Sequence, residues 1–145
     1  MLDKSSTTTN IVRLHHVGFV VASIEEASPK FALSLAASTV SEVFHDRLQG
    51  VRVIFLHPPG SVAIELVEPA PLAGSSSPVT SFLNRGGGLH HICYEVGDLE
   101  QQIEEMQSRK CLLLRPPKPA VAFGGRRIAW IITAEKLLLE YLEAK

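Results

Sequence analysis

The sequence of 145 residues predicts an α+β fold made of two tandem βαβββ modules. Three observations predict it. The chain repeats itself: Leu14-His15-His16-Val17 recurs 75 positions later as Leu89-His90-His91-Ile92. The same offset relates Gly50 and Arg52 to Gly125 and Arg127, Val53 and Phe55 to Ile128 and Trp130, and Ile64-Glu65-Leu66-Val67-Glu68 to Leu139-Glu140-Tyr141-Leu142-Glu143. Each copy, of about 55 residues, passes from period-2 to helical patterning and back. Finally, 145 residues at 46% hydrophobic content can bury one core without disulfides.

The elements follow in order. Residues 17–21 and 92–96 are β-branched and aromatic, as strands require. Ser23 and Asp98 are N-cap residues, each preceding a segment of helical periodicity over 24–37 and 99–109. Three strands then follow in each copy: 39–45, 51–57 and 62–67 in the first, 111–115, 127–132 and 137–142 in the second. Pro58-Pro59-Gly60 marks a hairpin turn. Residues 1–12 read as a flexible polar tail and 13–145 as one domain. Within it, module one spans 13–69, a linker with a short helix spans 70–88, and module two spans 89–145. The short helix opens at Ser77-Pro78 and runs to about Asn84, with Ser as cap and Pro at the first position. Gly86-Gly87-Gly88 lacks a following Gly-Lys-Ser/Thr, so it reads as a joint and not as a phosphate loop.

Strand alternation places the polar repeats. Val17, Phe19 and Val21 share the face that meets the helix, so His16 looks away from it, and His91 does the same in the second copy. By the same rule His15 and His90 point to the helix side. Glu65 shares a face with Ala63 and Val67, and Glu140 with Leu138 and Leu142. A carboxylate among aliphatic neighbours is costly to bury without a partner. One such His is ordinarily a hydrogen-bonded structural residue. Duplication at one offset instead brings His16, Glu65, His91 and Glu140 toward a shared divalent cation such as Zn, Mn, Co or Ni. The pocket wall is expected to include Phe55 and Trp130, with Arg126 placed to hold a substrate anion.

Composition excludes several classes. With 14 basic against 15 acidic residues and no basic run, the chain offers no nucleic-acid footprint. No apolar stretch reaches the roughly 18 residues of a membrane span, and the polar N-terminus lacks the order of a signal peptide. Cys93 and Cys111 sit in apolar surroundings and read as buried thiols of a reducing compartment. A cytoplasmic protein is the expectation.

These residues resemble the vicinal oxygen chelate superfamily, and the likeness runs from Arg13 onward. Its carriers are Leu14-His15-His16-Val17-Gly18, Ile64-Glu65-Leu66, Leu89-His90-His91-Ile92 and Leu139-Glu140. Within the superfamily, Gln49-Gly50-Val51-Arg52-Val53, Glu65 through Pro69 and Gly124-Gly125-Arg126-Arg127-Ile128 look most like the methylmalonyl-CoA epimerase branch and its unassigned relatives. The resemblance implies a cupped mixed sheet holding one divalent metal on His16, Glu65, His91 and Glu140. It also implies a homodimer.

The implied chemistry is isomerisation or epimerisation of an acyl-CoA or related carbonyl acid through a metal-stabilised enolate. Glu140 is the implied base. Val53 stands where some epimerases carry a second catalytic Glu, so Glu65 or Glu95 is the candidate for the second acid. A glyoxalase I-like lyase shares the proton abstraction and is the alternative, followed by a non-catalytic small-molecule binding protein.

Overall fold

A computed structural model describes residues 10–71 and 76–145. Nine strands form one curved, unclosed sheet. The first module supplies β1 (Val12–Val20), α1 (Ile24–Leu35), β2 (Thr39–Val40), β3 (Phe44–Asp46), β4 (Val51–His57) and β5 (Ala63–Pro69). A short α2 (Thr80–Asn84) leads to β6 (Gly88–Val96), α3 (Leu99–Ser108), β7 (Leu112–Pro119), a 3-10 turn (Val121–Phe123), β8 (Arg127–Ile132) and β9 (Leu138–Glu143). Strand order is β2-β4-β5-β1-β6-β9-β8-β7, with β3 also paired to β4. The two modules meet inside one chain at the antiparallel β1–β6 pair, flanked by parallel β1–β5 and β6–β9 pairs. No described helix is long and apolar enough to cross a membrane.

Local chemistry explains the ends of the helices. Ser23 Oγ accepts from Glu26 N at 3.2 Å and Asp98 Oδ1 from Gln101 N at 3.0 Å, as the sequence predicts. An ion-pair clamp is duplicated with the repeat. Arg52 reaches Glu25 at 2.7 Å and Glu68 at 3.2 Å, while Arg127 reaches Glu100 at 2.7 Å and Glu143 at 2.8 Å. Each arginine ties the first turn of its helix to the sheet. Beneath the helices the cores differ. From α3, Leu99, Ile103 and Met106 pack on Val96, Ala129, Ile131, Leu139 and Tyr141, whereas Ile24 is the buried residue of α1.

Several boundaries depart from the sequence reading. β1 and β6 begin earlier than 17 and 92 because they pair with each other along nearly their whole length. The expected strand 39–45 is broken at Ser41, whose hydroxyl accepts from Phe55 N at 2.9 Å in place of a backbone carbonyl. β7 runs on through Pro116 and Pro117 to Pro119, which an edge strand tolerates because proline's missing donor faces outward. Ser77 does not cap α2. Its hydroxyl donates to Gly50 O at 2.6 Å, and the helix begins three residues later.

The expected tail of 1–12 lies outside the described residues as far as 9. From there the chain is fixed, Asn10 exchanging two 2.8 Å hydrogen bonds with the Asp98 backbone and β1 starting at Val12. Residues 72–75 of the linker are also outside the described set. The triple glycine is more than a joint: a Cβ on Gly87 would stand 2.7 Å from Val20 O, at a positive φ of 67°.

Candidate metal centre and active site

A bulge on each side of the β1–β6 seam builds the site. The register shifts between Leu14 and His16 in β1 and around His90 in β6, so each histidine pair carries one extra residue. Such an insertion breaks alternation and leaves neighbouring side chains on one face. His15 and His90 therefore do not point to the helix side, contrary to the sequence expectation. His15 packs edge-on against His16 and Phe123, and His90 lines the cavity beside Trp130.

Four buried donors converge on the concave face. His16 Nε2 lies 3.2 Å from His91 Nε2, 3.0 Å from Glu140 Oε1 and 3.6 Å from Glu65 Oε1. His91 Nε2 lies 3.2 Å from Glu65 Oε1 and 3.8 Å from Glu140 Oε1. Ligands about 2.1 Å from one ion stand about 3.0 Å apart at right angles and about 3.4 Å apart in a tetrahedron. Three of the five spacings, 3.0, 3.2 and 3.2 Å, fall in that range and the other two lie just beyond it, and the donor atoms of His16, His91 and Glu140 all lie within 4.8 Å of one another. Glu140 Oε1 is buried and accepts no aligned hydrogen bond despite its approach to His16. A buried carboxylate oxygen without a donor is what a cation would satisfy. The residues present thus fit a divalent ion.

The surroundings hold the four donors in place. His16 Nδ1 is 2.8 Å from His15 Nδ1, and His91 Nδ1 is 2.9 Å from His90 Nδ1, so each converging ring turns its second nitrogen to a neighbouring imidazole. Burial and the adjacent His91 push His90 down to about 4, and burial with His16 lowers His15. Both neighbours are neutral near pH 7 and free to accept. Burial alone would lower His16 and raise Glu140. The facing Glu65 and Glu140 raise His16 instead, and the two imidazoles hold Glu140 below the usual carboxylate range. Cys93 is pushed well up by burial first and then by Glu140, so it stays a thiol. Gly18 is required on the opposite side, since a Cβ there would overlap the His91 ring at 2.1 Å.

Above the donors opens a cavity of about 270 Å³, walled by Val53, Val67, Phe123, Ile128 and Trp130. Trp130 meets His91 edge-on at 4.8 Å, and Phe55 meets His16 at 5.4 Å. Phe55 is a buried support behind His16 and is not itself a lining residue.

Not every candidate comes to the centre. Glu95 is held by Arg13 at 2.6 Å and Arg126 at 2.8 Å, and neither Glu95 nor Arg126 lines the cavity. Arg127 is engaged in its helix clamp.

Sequence reasoning missed Phe123, which stacks on His16, and Arg115, which lines the wall from β7. It also left Asp46 unplaced. Asp46 accepts from Gln49 N and Val121 N, both at 3.0 Å, and joins the two modules at the cavity edge. Of these, Phe123 and Arg115 have no counterpart of their kind in the repeat, whose offset places Leu48 and Val40 there.

Paired βαβββ modules that cup four imidazole and carboxylate donors define a protein of the vicinal oxygen chelate class. The chain belongs to the Glyoxalase/Bleomycin resistance protein/Dioxygenase superfamily, whose family profile matches residues 15–130. Among curated relatives it is 36% identical over 109 residues to mouse mitochondrial methylmalonyl-CoA epimerase, covering 74% of this chain but 58% of that protein. It is 32% identical to an ethylmalonyl-CoA/methylmalonyl-CoA epimerase of Cereibacter sphaeroides, covering 83% of this chain and 88% of that one. The crystal structure of methylmalonyl-CoA epimerase from Mycobacterium tuberculosis superposes with a TM-score of 0.78 at 27% identity, over all of this chain and 93% of its counterpart.

Proposed function

We propose that the chain is a divalent-metal-dependent epimerase that moves the α-proton of an acyl-CoA or related carbonyl acid. The observation that carries this reading is the convergence of His16, Glu65, His91 and Glu140 beneath an apolar cavity. The named activities of the mouse and Cereibacter relatives support the substrate class. A divalent ion on these four residues supplies Lewis-acid stabilisation of charge developing on a carbonyl oxygen.

The chain's own groups do the rest. Glu140, ionised and without an aligned donor on Oε1, takes the α-proton as general base. Trp130 and Phe123 exclude water and hold the acyl group flat against the donors. Epimerisation returns the proton to the opposite face of the planar intermediate, which needs a second acid. Val53 offers none, and Glu95 is engaged by two arginines. Glu65, the other carboxylate among the converging donors, takes that role.

The test is solvent-deuterium exchange into methylmalonyl-CoA by protein purified without chelator, with metal content measured on the same sample. Exchange that rises with bound metal supports the reading. Turnover of a glutathione hemithioacetal without exchange into any acyl-CoA would select the lyase instead. No exchange with either leaves a binding role. In the same reading the chain pairs as a homodimer that covers an open sheet edge. Sedimentation velocity showing a monomer at micromolar concentration would overturn that part.

A further inference from the structure

We propose that Arg115 is the specificity residue of this site and that it reads a carboxylate on the acyl part of the substrate. The proposal rests on the acyl-CoA reading and sharpens it. Arg115 lines the cavity from edge strand β7, and among the described residues its guanidinium makes no hydrogen bond or ion pair. The other arginines near the site, Arg126 and Arg127, are both committed to carboxylates. A guanidinium on a largely apolar wall binds a planar anion in two-pronged fashion and gains more there than in open water.

The strand is shaped to aim it. Register in the β7–β8 pair slips between Leu113 and Arg115, and slips again between Arg115 and Lys118. Irregularities on both sides of one residue re-aim its side chain, a device found beside active sites. Pro116 and Pro117 lie within the second slip and cannot donate to the ladder.

Position completes the case. Arg115 pairs with Trp130, Trp130 with Glu140, Glu140 with Cys93, and Cys93 with His16, so one row runs from the guanidinium to the metal donors. Two strand spacings, about 10 Å, separate the backbones of Arg115 and Glu140. An arginine side chain and a short acyl acid together fill that gap. The phosphates of coenzyme A lie beyond the whole pantetheine arm from the thioester carbon, too far along the substrate to meet Arg115.

The matching row in module one ends differently. There Ser41 stands beside Phe55, and its hydroxyl already accepts from Phe55 N and donates to Glu42 O. The cup therefore has one anion-reading wall. A substrate with a free acyl carboxylate is oriented with that group toward β7, which presents one face of its α-carbon to Glu140.

Calorimetric binding to wild type, Arg115→Leu and Arg115→Lys tests this, with methylmalonyl-CoA, propionyl-CoA, methylmalonyl-pantetheine and free methylmalonate as probes. Arg115→Leu should weaken methylmalonyl-CoA roughly tenfold to a hundredfold and propionyl-CoA less than about twofold, with Arg115→Lys between. Methylmalonyl-pantetheine should lose the same factor. If its loss disappears, Arg115 contacts a coenzyme phosphate and the proposal is overturned. Equal losses for methylmalonyl-CoA and propionyl-CoA, or no loss for either, overturn it as well. Arg115-dependent binding of free methylmalonate without binding of any thioester would keep the carboxylate clamp and remove the acyl-CoA reading. Wild type that binds none of the four probes removes both.

Discussion

Two rows of side chains cross the concave face, one for each half of the repeat. From module two the row runs through Arg115, Trp130, Glu140 and Cys93 and crosses the seam to His16. From module one it runs through Ser41, Phe55, Glu65 and Gly18 and crosses to His91. They agree at the carboxylate and the histidine, and both place an aromatic ring beside the carboxylate. They disagree at the outer end, where a free guanidinium faces a satisfied hydroxyl, and at the seam, where a thiol faces a glycine. The repeated positions hold charge at the centre. The divergent positions decide from which side a substrate lies and how close the two halves approach. A twofold frame thus carries a site with two unlike faces.

Exchanging the two carboxylates for amides separates the rows most strongly. Glu140→Gln should cut α-proton exchange by roughly a hundredfold to ten-thousandfold while keeping part of the bound metal, because an amide oxygen donates a lone pair but cannot usefully accept a proton. Glu65→Gln should be milder, since the guanidinium wall sets the α-proton toward Glu140. Exchange kinetics with metal content measured alongside decide the order. If Glu65→Gln proves the more damaging, the substrate lies against module one and the acid and base exchange places.

The next comparison sets each ligand histidine against its neighbour in the bulge. His16→Ala and His91→Ala should each lose most bound metal. His15→Ala and His90→Ala should retain it with affinity lowered about tenfold, as for partners that orient a ligand through its second nitrogen. Equal losses across all four variants, by elemental analysis after dialysis, would show that the neighbouring rings are themselves ligands.

That pair of histidines also marks where the sequence stops being legible. His16, Glu65, His91 and Glu140 were readable because one offset recurs and because a lone buried carboxylate is costly. Ser23 and Asp98 were readable because capping is local. The facing of His15 and His90 was not, since alternation assumes an unbroken ladder and each strand inserts one residue at that point. Pro116-Pro117 reads as the end of a strand, yet β7 continues because only one of its edges is paired. Arg115 and Phe123 have no echo in the repeat, so symmetry gave no reason to place them in the cup.

Gly18 and Cys93 test the seam itself. Gly18→Ala puts a methyl group into the His91 ring, so the ring or the strand must shift. The expected cost is about 1–3 kcal/mol of stability, together with weaker metal binding. Cys93→Ala removes a buried thiol without creating overlap and should cost about 1 kcal/mol, with metal affinity little changed. Thermal melts with and without added divalent metal compare the two. A Gly18→Ala protein as stable and as metal-competent as wild type would mean that the seam is looser than these contacts indicate.

The smallest effect concerns Glu95, another break in the repeat, whose counterpart at the common offset is Val20. Arg126 foremost, and Arg13 with it, holds the Glu95 carboxyl below its ordinary value of 4.5 against a modest penalty from burial. A carboxylate whose pKa falls on folding stabilises the protein fully above its unfolded value. That contribution is lost as pH drops through the folded value. Glu95→Gln should therefore cost up to about 1 kcal/mol near neutrality, as for a partly covered ion pair. The gap in melting temperature from wild type should close as pH falls below 4.5. A gap that stays constant into acid would assign the loss to packing instead of charge. The same variant should leave α-proton exchange unchanged near neutrality, because the carboxylate spans two arginines and does not line the cavity. A tenfold fall in exchange with an unaltered melting curve would give Glu95 the second acid's role and release Glu65 from it.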